Sequence, residues 1–229
     1  MPAHADSPVP ARRRMTIPET ARAALKTVFG FDSFRPGQEA VMASVLGGRN
    51  VLAVMPTGSG KSLCYQLPAL MRPGLTLVVS PLIALMRDQV RQLRAAGVAA
   101  GALNSSNDPA ENARVHRALG DGSLRLLYAS PERLVRDDTL EMLERAGVGL
   151  LAVDEAHCVS QWGHDFRPEY LQLKRIDQAL GGVQMIALTA TADAATRNDI
   201  VERLFPGTPE IFVQGFDRPN LFLAMAPKG

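Results

Sequence analysis

Val51-Leu52-Ala53-Val54-Met55-Pro56-Thr57-Gly58-Ser59-Gly60-Lys61-Ser62 is the stretch on which the fold turns. A run of β-formers stops at a glycine-rich turn ending in Gly-Lys-Ser, and a helical pattern, Leu63 to Met71, follows. A strand, a tight loop and a helix N-terminus make a phosphate cradle, because backbone N–H groups and the positive end of the helix dipole converge on one point. Gly58 and Gly60 let the backbone bend back around an anion. Lys61 reaches terminal phosphates as a point charge, and the Ser62 hydroxyl suits Mg²⁺. Thr57, Gly58, Ser59, Gly60, Lys61 and Ser62 are therefore the candidate phosphate contacts. The strict spacing asks for glycine at position 55, where this chain has Met55. The bland alternative is an ordinary strand-to-helix turn. Lys61 weighs against it, since a lysine buried at a helix start is costly without an anion.

Outward from the loop, fully apolar strands alternate with helical stripes. Strands are expected at Leu75–Val79, Val98–Leu103, Leu124–Tyr128, Val148–Val153, Gln184–Leu188 and Glu210–Val213. Helices are expected at Pro18–Phe29, from about Gln38 to Gly47, and at Leu82–Ala96, Pro109–Leu119, Asp137–Ala146, Pro168–Leu180 and Asp193–Phe205. Strands apolar on both faces predict a mainly parallel α/β sheet covered by helices on each side. The expected organisation is a Pro- and Ala-rich disordered tail over 1–15, one domain over 16–214 and a connector over 215–229.

The 229 residues, 46% hydrophobic and 21% charged, describe a globule with a real core rather than a disordered chain. A net charge of +2 permits a local nucleic-acid track without arguing for one. No apolar run approaches membrane-spanning length, so no membrane partner is expected. Cys64 and Cys158 follow no metal spacing and read as reduced thiols of a cytoplasmic protein. Asn104-Ser105-Ser106 fits the glycosylation pattern, which has no meaning in that compartment.

Leu150-Leu151-Ala152-Val153-Asp154-Glu155 supplies what the phosphate loop lacks. A buried strand ends in two carboxylates. At the carboxyl edge of a parallel sheet, Asp154 can hold Mg²⁺ through water, and Glu155 can take a proton from the attacking water. Alone, the pair is also a common solvated turn. With the loop at 58–62 it points to ATP binding and hydrolysis.

Asp154-Glu155-Ala156-His157 resembles the DEAH box of superfamily-2 helicases. Cys158-Val159-Ser160-Gln161-Trp162-Gly163-His164-Asp165-Phe166-Arg167-Pro168-Glu169-Tyr170 resembles the aromatic-rich loop of RecQ DNA helicases, which generic DEAH proteins lack. Leu25-x-x-x-Phe29-Gly30-x-x-x-Phe34-Arg35-x-x-Gln38 is similar to that family's adenine-recognition motif. The runs from Ser80 to Val90, Ser130 to Leu134 and Leu188 to Ala192 resemble its further motifs, in order. The likeness covers about Leu25 to Asn220, and superfamily-2 loops tolerate a residue such as Met55.

The resemblance implies a RecA-like P-loop domain, with ATP and Mg²⁺ as cofactors. It implies that Phe31 and Arg35 stack on adenine and that Gln38 reads its edge. Many relatives carry Tyr where this chain has Phe31, which keeps stacking and loses a hydroxyl. His157 is implied to couple hydrolysis to the aromatic loop, where Trp162 and Phe166 stack on single-stranded DNA, for roughly 1–3 kcal/mol per base. Arg167 is implied to meet phosphate or to sense hydrolysis. Thr189 and Thr191 are implied to link the DNA and ATP sides; capping of the helix after Asp193 is the alternative for both. The implied whole is a 3′→5′ DNA helicase acting on single-stranded and partly duplex DNA in repair and recombination. Its second RecA-like domain supplies an arginine finger, and Phe216-Asp217-Arg218-Pro219-Asn220 resembles the crossing to it. The alternatives are a nucleotide- or strand-binding unit with little turnover, and another superfamily-2 motor such as a DEAH RNA helicase.

Overall fold

The computed structural model describes residues 16–163 and 165–215. The expected tail over 1–15, the connector motif at 216–220 and His164 lie outside the described residues.

In chain order the elements are α1 (Glu19–Thr27), α2 (Gln38–Leu46), β1 (Val51–Val54), α3 (Leu63–Met71), β2 (Leu75–Val79) and α4 (Ile83–Ala95). Next come β3 (Ala100–Leu103), α5 (Pro109–Gly120), β4 (Leu126–Ala129), α6 (Pro131–Leu134), α7 (Asp137–Ala146) and β5 (Val148–Val153). Two 3₁₀ turns (Ala156–Val159 and Pro168–Gln172), α8 (Leu173–Ala179), β6 (Met185–Thr189), α9 (Ala194–Leu204) and β7 (Glu210–Val213) complete the described chain. The seven strands form one sheet in the order β3-β4-β2-β5-β6-β1-β7. Every ladder is parallel, as the fully apolar strands require.

Strand alternation divides the core in two. Val51, Ala53, Val78, Leu150, Ala152, Ile186 and Leu188 face the layer built on α1 to α4. Leu52, Leu77, Val79, Leu151, Val153, Met185 and Ala187 face the layer built on α5 to α9. Because the sheet is parallel, the segments after β1, β5 and β6 all emerge at one edge. Met55 N–H donates to Thr189 C=O at 3.0 Å there, and Asp154 N–H to Val79 C=O at 2.9 Å.

Three expectations are corrected. The helix expected over Pro168–Leu180 is a 3₁₀ turn followed by α8. The tight turn puts Tyr170 inside, where its hydroxyl donates to the Asp154 carbonyl at 3.0 Å. The cap of α9 is Asp193, whose carboxylate accepts from Thr196 N–H at 2.7 Å, so the capping alternative for Thr189 and Thr191 does not hold. The strands expected from Val98 and Leu124 begin two residues later, at Ala100 and Leu126.

Candidate functional site

The phosphate loop has the backbone its glycines were expected to allow. Gly58 and Gly60 adopt φ of +80° and +79°, a region that costs any residue with a Cβ. Gly60 is needed twice over: a Cβ there would lie 2.6 Å from Gln38 Nε2. Met55 needs no glycine. Its φ is not positive, its side chain is buried, and Sδ lies 3.9 Å from Cys64 Sγ. The missing first glycine of the pattern is thus absorbed by the core.

Lys61 Nζ donates to the Met55 carbonyl at 3.3 Å, holding the ammonium across the loop's mouth. Ser59 Oγ is buried and has no partner among the described residues. A buried hydroxyl without a partner is costly, and an anion in the loop is the group it suits. That donor set, with converging N–H groups, Lys61 and Ser62, fits a nucleotide phosphate.

Beside the loop lies a cavity of about 340 Å³ whose walls include Phe31, Arg35, Gln38, Gly60 and Ser62. Phe31 is 48% exposed, so its ring is available for stacking. Arg35 and Gln38 are latched onto the loop itself. Arg35 Nη1 donates to the Gly58 carbonyl. Gln38 Nε2 donates to the carbonyls of Ser59 (3.0 Å) and Gly60 (3.1 Å), while its Oε1 accepts from Arg35 N–H at 2.8 Å. Both amide hydrogens are therefore engaged, and one Oε1 lone pair is left for a base. Sequence reasoning missed this latch, since nothing local shows that residue 38 folds onto residues 59 and 60.

Asp154 and Glu155 follow β5 at the same edge. Asp154 is buried, and burial together with the neighbouring Glu155 pushes its carboxyl up to about 6, against the opposing pull of Lys61. A carboxylate so placed gains from a cation, which is the chemistry expected of a Mg²⁺ ligand with Ser62. Glu155 has φ +49° and ψ +46°, the one non-glycine positive φ among the described residues. Such strain persists where the surroundings enforce it and clusters at functional sites. The 3₁₀ turn that follows buries His157, whose Nδ1 lies 3.4 Å from Glu155 Oε2 and 2.9 Å from Thr189 Oγ1. Thr189 Oγ1 donates onward to the Thr191 carbonyl at 3.0 Å. Glu155, His157, Thr189 and Thr191 form one connected set.

The aromatic loop leaves this set directly. Gly163 packs on the turn so closely that a Cβ would lie 2.5 Å from the His157 carbonyl. Trp162 is 78% exposed, and Phe166 is half-buried. Arg167 N–H donates to the Cys158 carbonyl at 2.9 Å, and its guanidinium pairs with Asp165 at 3.2 Å.

Arg167 also borders a second cavity of about 500 Å³, with Asn104, Ser105, Ser130, Arg133 and Arg136. These residues follow β3 and β4 at the same sheet edge. Sequence reasoning took Arg133 only as part of the motif-like run from Ser130 to Leu134 and did not single out Asn104, Ser105 or Arg136 as candidate contacts. Their position just after strands of a parallel sheet was the available signal. Hydroxyl, amide and guanidinium donors around an open cleft suit a phosphate backbone.

The DEAD/DEAH box helicase family model matches residues 35–200. The chain is 49% identical over 212 residues, 93% of its length, to the ATP-dependent DNA helicase RecQ of Pasteurella multocida (strain Pm70), and covers 34% of that protein. It is 44% identical over 200 residues, 85% of its length, to the probable ATP-dependent DNA helicase RecS of Bacillus subtilis (strain 168), covering 39% of it. The chain thus spans about a third of the length of the curated relatives it matches. In fold it is similar to a hypothetical ATP-dependent RNA helicase from Sulfolobus tokodaii, with TM-score 0.66, 23% identity, and 86% of this chain and 57% of that one covered. No helix among the described residues is long and apolar enough to cross a membrane.

Proposed function

This chain belongs to the DEAD/DEAH box helicase family, and we propose that it is the ATP-binding motor unit of a RecQ-type 3′→5′ DNA helicase of the cytoplasm, coupling ATP hydrolysis to movement along single-stranded DNA and to unwinding in repair and recombination. The observation that carries this reading is the connected set from Glu155 through His157 to Thr189, with the Trp162 loop on the same turn.

The surroundings of each residue support a part for it in this reading. Lys61 lies where terminal phosphates enter the loop, and Thr57, Gly58, Ser59 and Gly60 offer the backbone and hydroxyl donors around them. Ser62 and Asp154 are the residues that would hold Mg²⁺. When bound, that cation neutralises charge building between the outer phosphates. Phe31 stacks on the base, Arg35 flanks it, and Gln38 Oε1 accepts from its edge. Glu155 takes the proton of the attacking water. DNA bases stack on Trp162 and Phe166, and the strand's phosphates meet Arg133, Arg136 and Arg167. His157, Thr189 and Thr191 join that contact to Glu155. The partner surface is a second RecA-like domain bringing an arginine finger, without which turnover falls by about 10³–10⁵-fold. The isolated unit is therefore a weak ATPase.

The test is ATP turnover with this unit joined to a second RecA-like domain, measured with single-stranded DNA and with RNA. Stimulation by DNA is expected. Stimulation by RNA alone would assign the chain to an RNA motor instead.

A further inference from the structure

The turn between the hydrolytic carboxylates and the aromatic loop brings together three side chains of metal-ligand type. His157, Cys158 and Asp165 each offer one ligand atom, and all three atoms lie within 4.8 Å of one another. Cys158 Sγ is 3.9 Å from His157 Nε2 and 3.8 Å from Asp165 Oδ2. From usual zinc–ligand lengths, a tetrahedral site has sulfur–nitrogen and sulfur–oxygen edges of about 3.6 Å and a nitrogen–oxygen edge of about 3.4 Å. Two of the edges are therefore within a few tenths of an ångström of a zinc site. The third closes when the Asp165 side chain, 47% exposed, gives up its pairing with Arg167 and moves inward.

We infer that His157, Cys158 and Asp165 form a site for a thiophilic divalent cation of the Zn²⁺ class. One imidazole, one thiolate and one carboxylate are a donor set that zinc accepts, leaving a fourth position to water. Mg²⁺ is disfavoured, since it seeks an all-oxygen octahedron. His157 keeps Nδ1 on Thr189 Oγ1, and a ring nitrogen so oriented is how metal-bound imidazoles are ordinarily held. Without metal, the Cys158 thiol points at Asp165 Oδ2, and Arg167 pairs with that same oxygen. Binding replaces the thiol proton by the cation, releases that proton to solvent and draws Asp165 away from Arg167. Because Asp165 belongs to the aromatic loop and His157 to the catalytic turn, an occupied site fastens one to the other. That consequence rests on the proposed function; the binding itself does not.

Burial and the nearby Asp165 push the Cys158 thiol up to about 12, so the proton must be displaced at neutral pH. Affinity then rises about tenfold per pH unit, one proton leaving for each cation bound. The chain has two cysteines, and the other, Cys64, is buried in the opposite core layer. A sulfur–metal signal can therefore be assigned to one of them by substitution.

The experiment is titration of the metal-free 229-residue chain with Co²⁺, followed by its thiolate-to-metal charge-transfer absorption, with competition by Zn²⁺. One cation per chain is expected, the band being unchanged in Cys64→Ser and absent in Cys158→Ser. Asp165→Asn, an exposed substitution that leaves the core untouched, is expected to weaken binding at least tenfold. A wild-type chain with no thiolate band overturns the inference. So does a band that survives Cys158→Ser, or one indifferent to Asp165→Asn.

Discussion

His157 Nδ1 lies 2.9 Å from Thr189 Oγ1 and 3.4 Å from Glu155 Oε2, so one buried ring touches the end of β6 and the strained glutamate after β5. The hydroxyl of Thr189 is the fixed point of that arrangement, because it also donates to the Thr191 carbonyl. Thr189→Val keeps the shape and removes the hydrogen bond. It takes away the hydroxyl's bonds to His157 Nδ1 and to the Thr191 carbonyl, at a cost of about 1–3 kcal/mol. Stimulation of ATP turnover by single-stranded DNA is expected to fall at least tenfold. Thr189→Ser, which retains the hydroxyl, is expected to restore it. Failure of the serine to rescue would mean that packing, not the hydrogen bond, is what Thr189 supplies.

Glu155→Gln retains the backbone strain and the shape of the side chain but not its basicity. Turnover is expected to drop by about 10²–10⁴-fold while Mg-ATP affinity stays near wild type. Lys61→Ala, by contrast, is expected to abolish tight nucleotide binding. Equilibrium binding of a labelled ATP analogue beside steady-state turnover separates the two effects.

Asp154 sets the expected pH response. Its carboxyl ionises near 6 in the folded chain against an ordinary value of 3.8. Between those values the folded state holds more protons than the unfolded one, so stability falls as pH rises from about 4 to about 6 and stays lower above that. Asp154→Asn removes the buried charge and is expected to melt higher than wild type at pH 8 without Mg²⁺, the two converging near pH 4. Mg²⁺-dependent nucleotide binding has the opposite sense, being lost in wild type as pH falls through about 6, because the protonated acid is no ligand. Thermal melts across pH, with and without Mg²⁺ and nucleotide, read both effects. A wild-type melting curve unchanged relative to Asp154→Asn at pH 8 would contradict the burial argument.

Gln38→Ala is expected to weaken GTP as well as ATP, because the amide braces Ser59 and Gly60, which in the proposed function meet the phosphates of both. ATP should lose more, by the contact its base alone makes. Competition binding with the two nucleotides measures the difference, and equal losses would leave Gln38 as a brace only.

The parallel sheet was legible because strands such as Leu75–Val79 and Val148–Val153 are apolar on both faces, a pattern only helices on each side explain. The phosphate loop and Asp154-Glu155 were legible because their chemistry lies in contiguous residues. Four-residue segments, α6 and the turn at Ala156–Val159, are too short for any periodicity to register. The Gln38 latch and the arginine-lined cleft join residues far apart in sequence, and only the sheet edge brings them together. The cap of α9 went to Asp193 because a carboxylate at that position outcompetes a threonine two residues earlier.

In the proposed function, contact on the aromatic loop is transmitted to Glu155 through the short turn bearing His157. Trp162 is 78% exposed, so Trp162→Ala removes little packing and should shift stability by no more than about 0.5 kcal/mol. The decisive measurement is melting temperature, basal ATP turnover and single-strand-stimulated turnover on one preparation of Trp162→Ala, in the unit joined to a second RecA-like domain. An unchanged melting temperature, basal turnover within about twofold of wild type and loss of most of the DNA stimulation are expected. A stable variant whose DNA stimulation is fully normal would contradict this transmission.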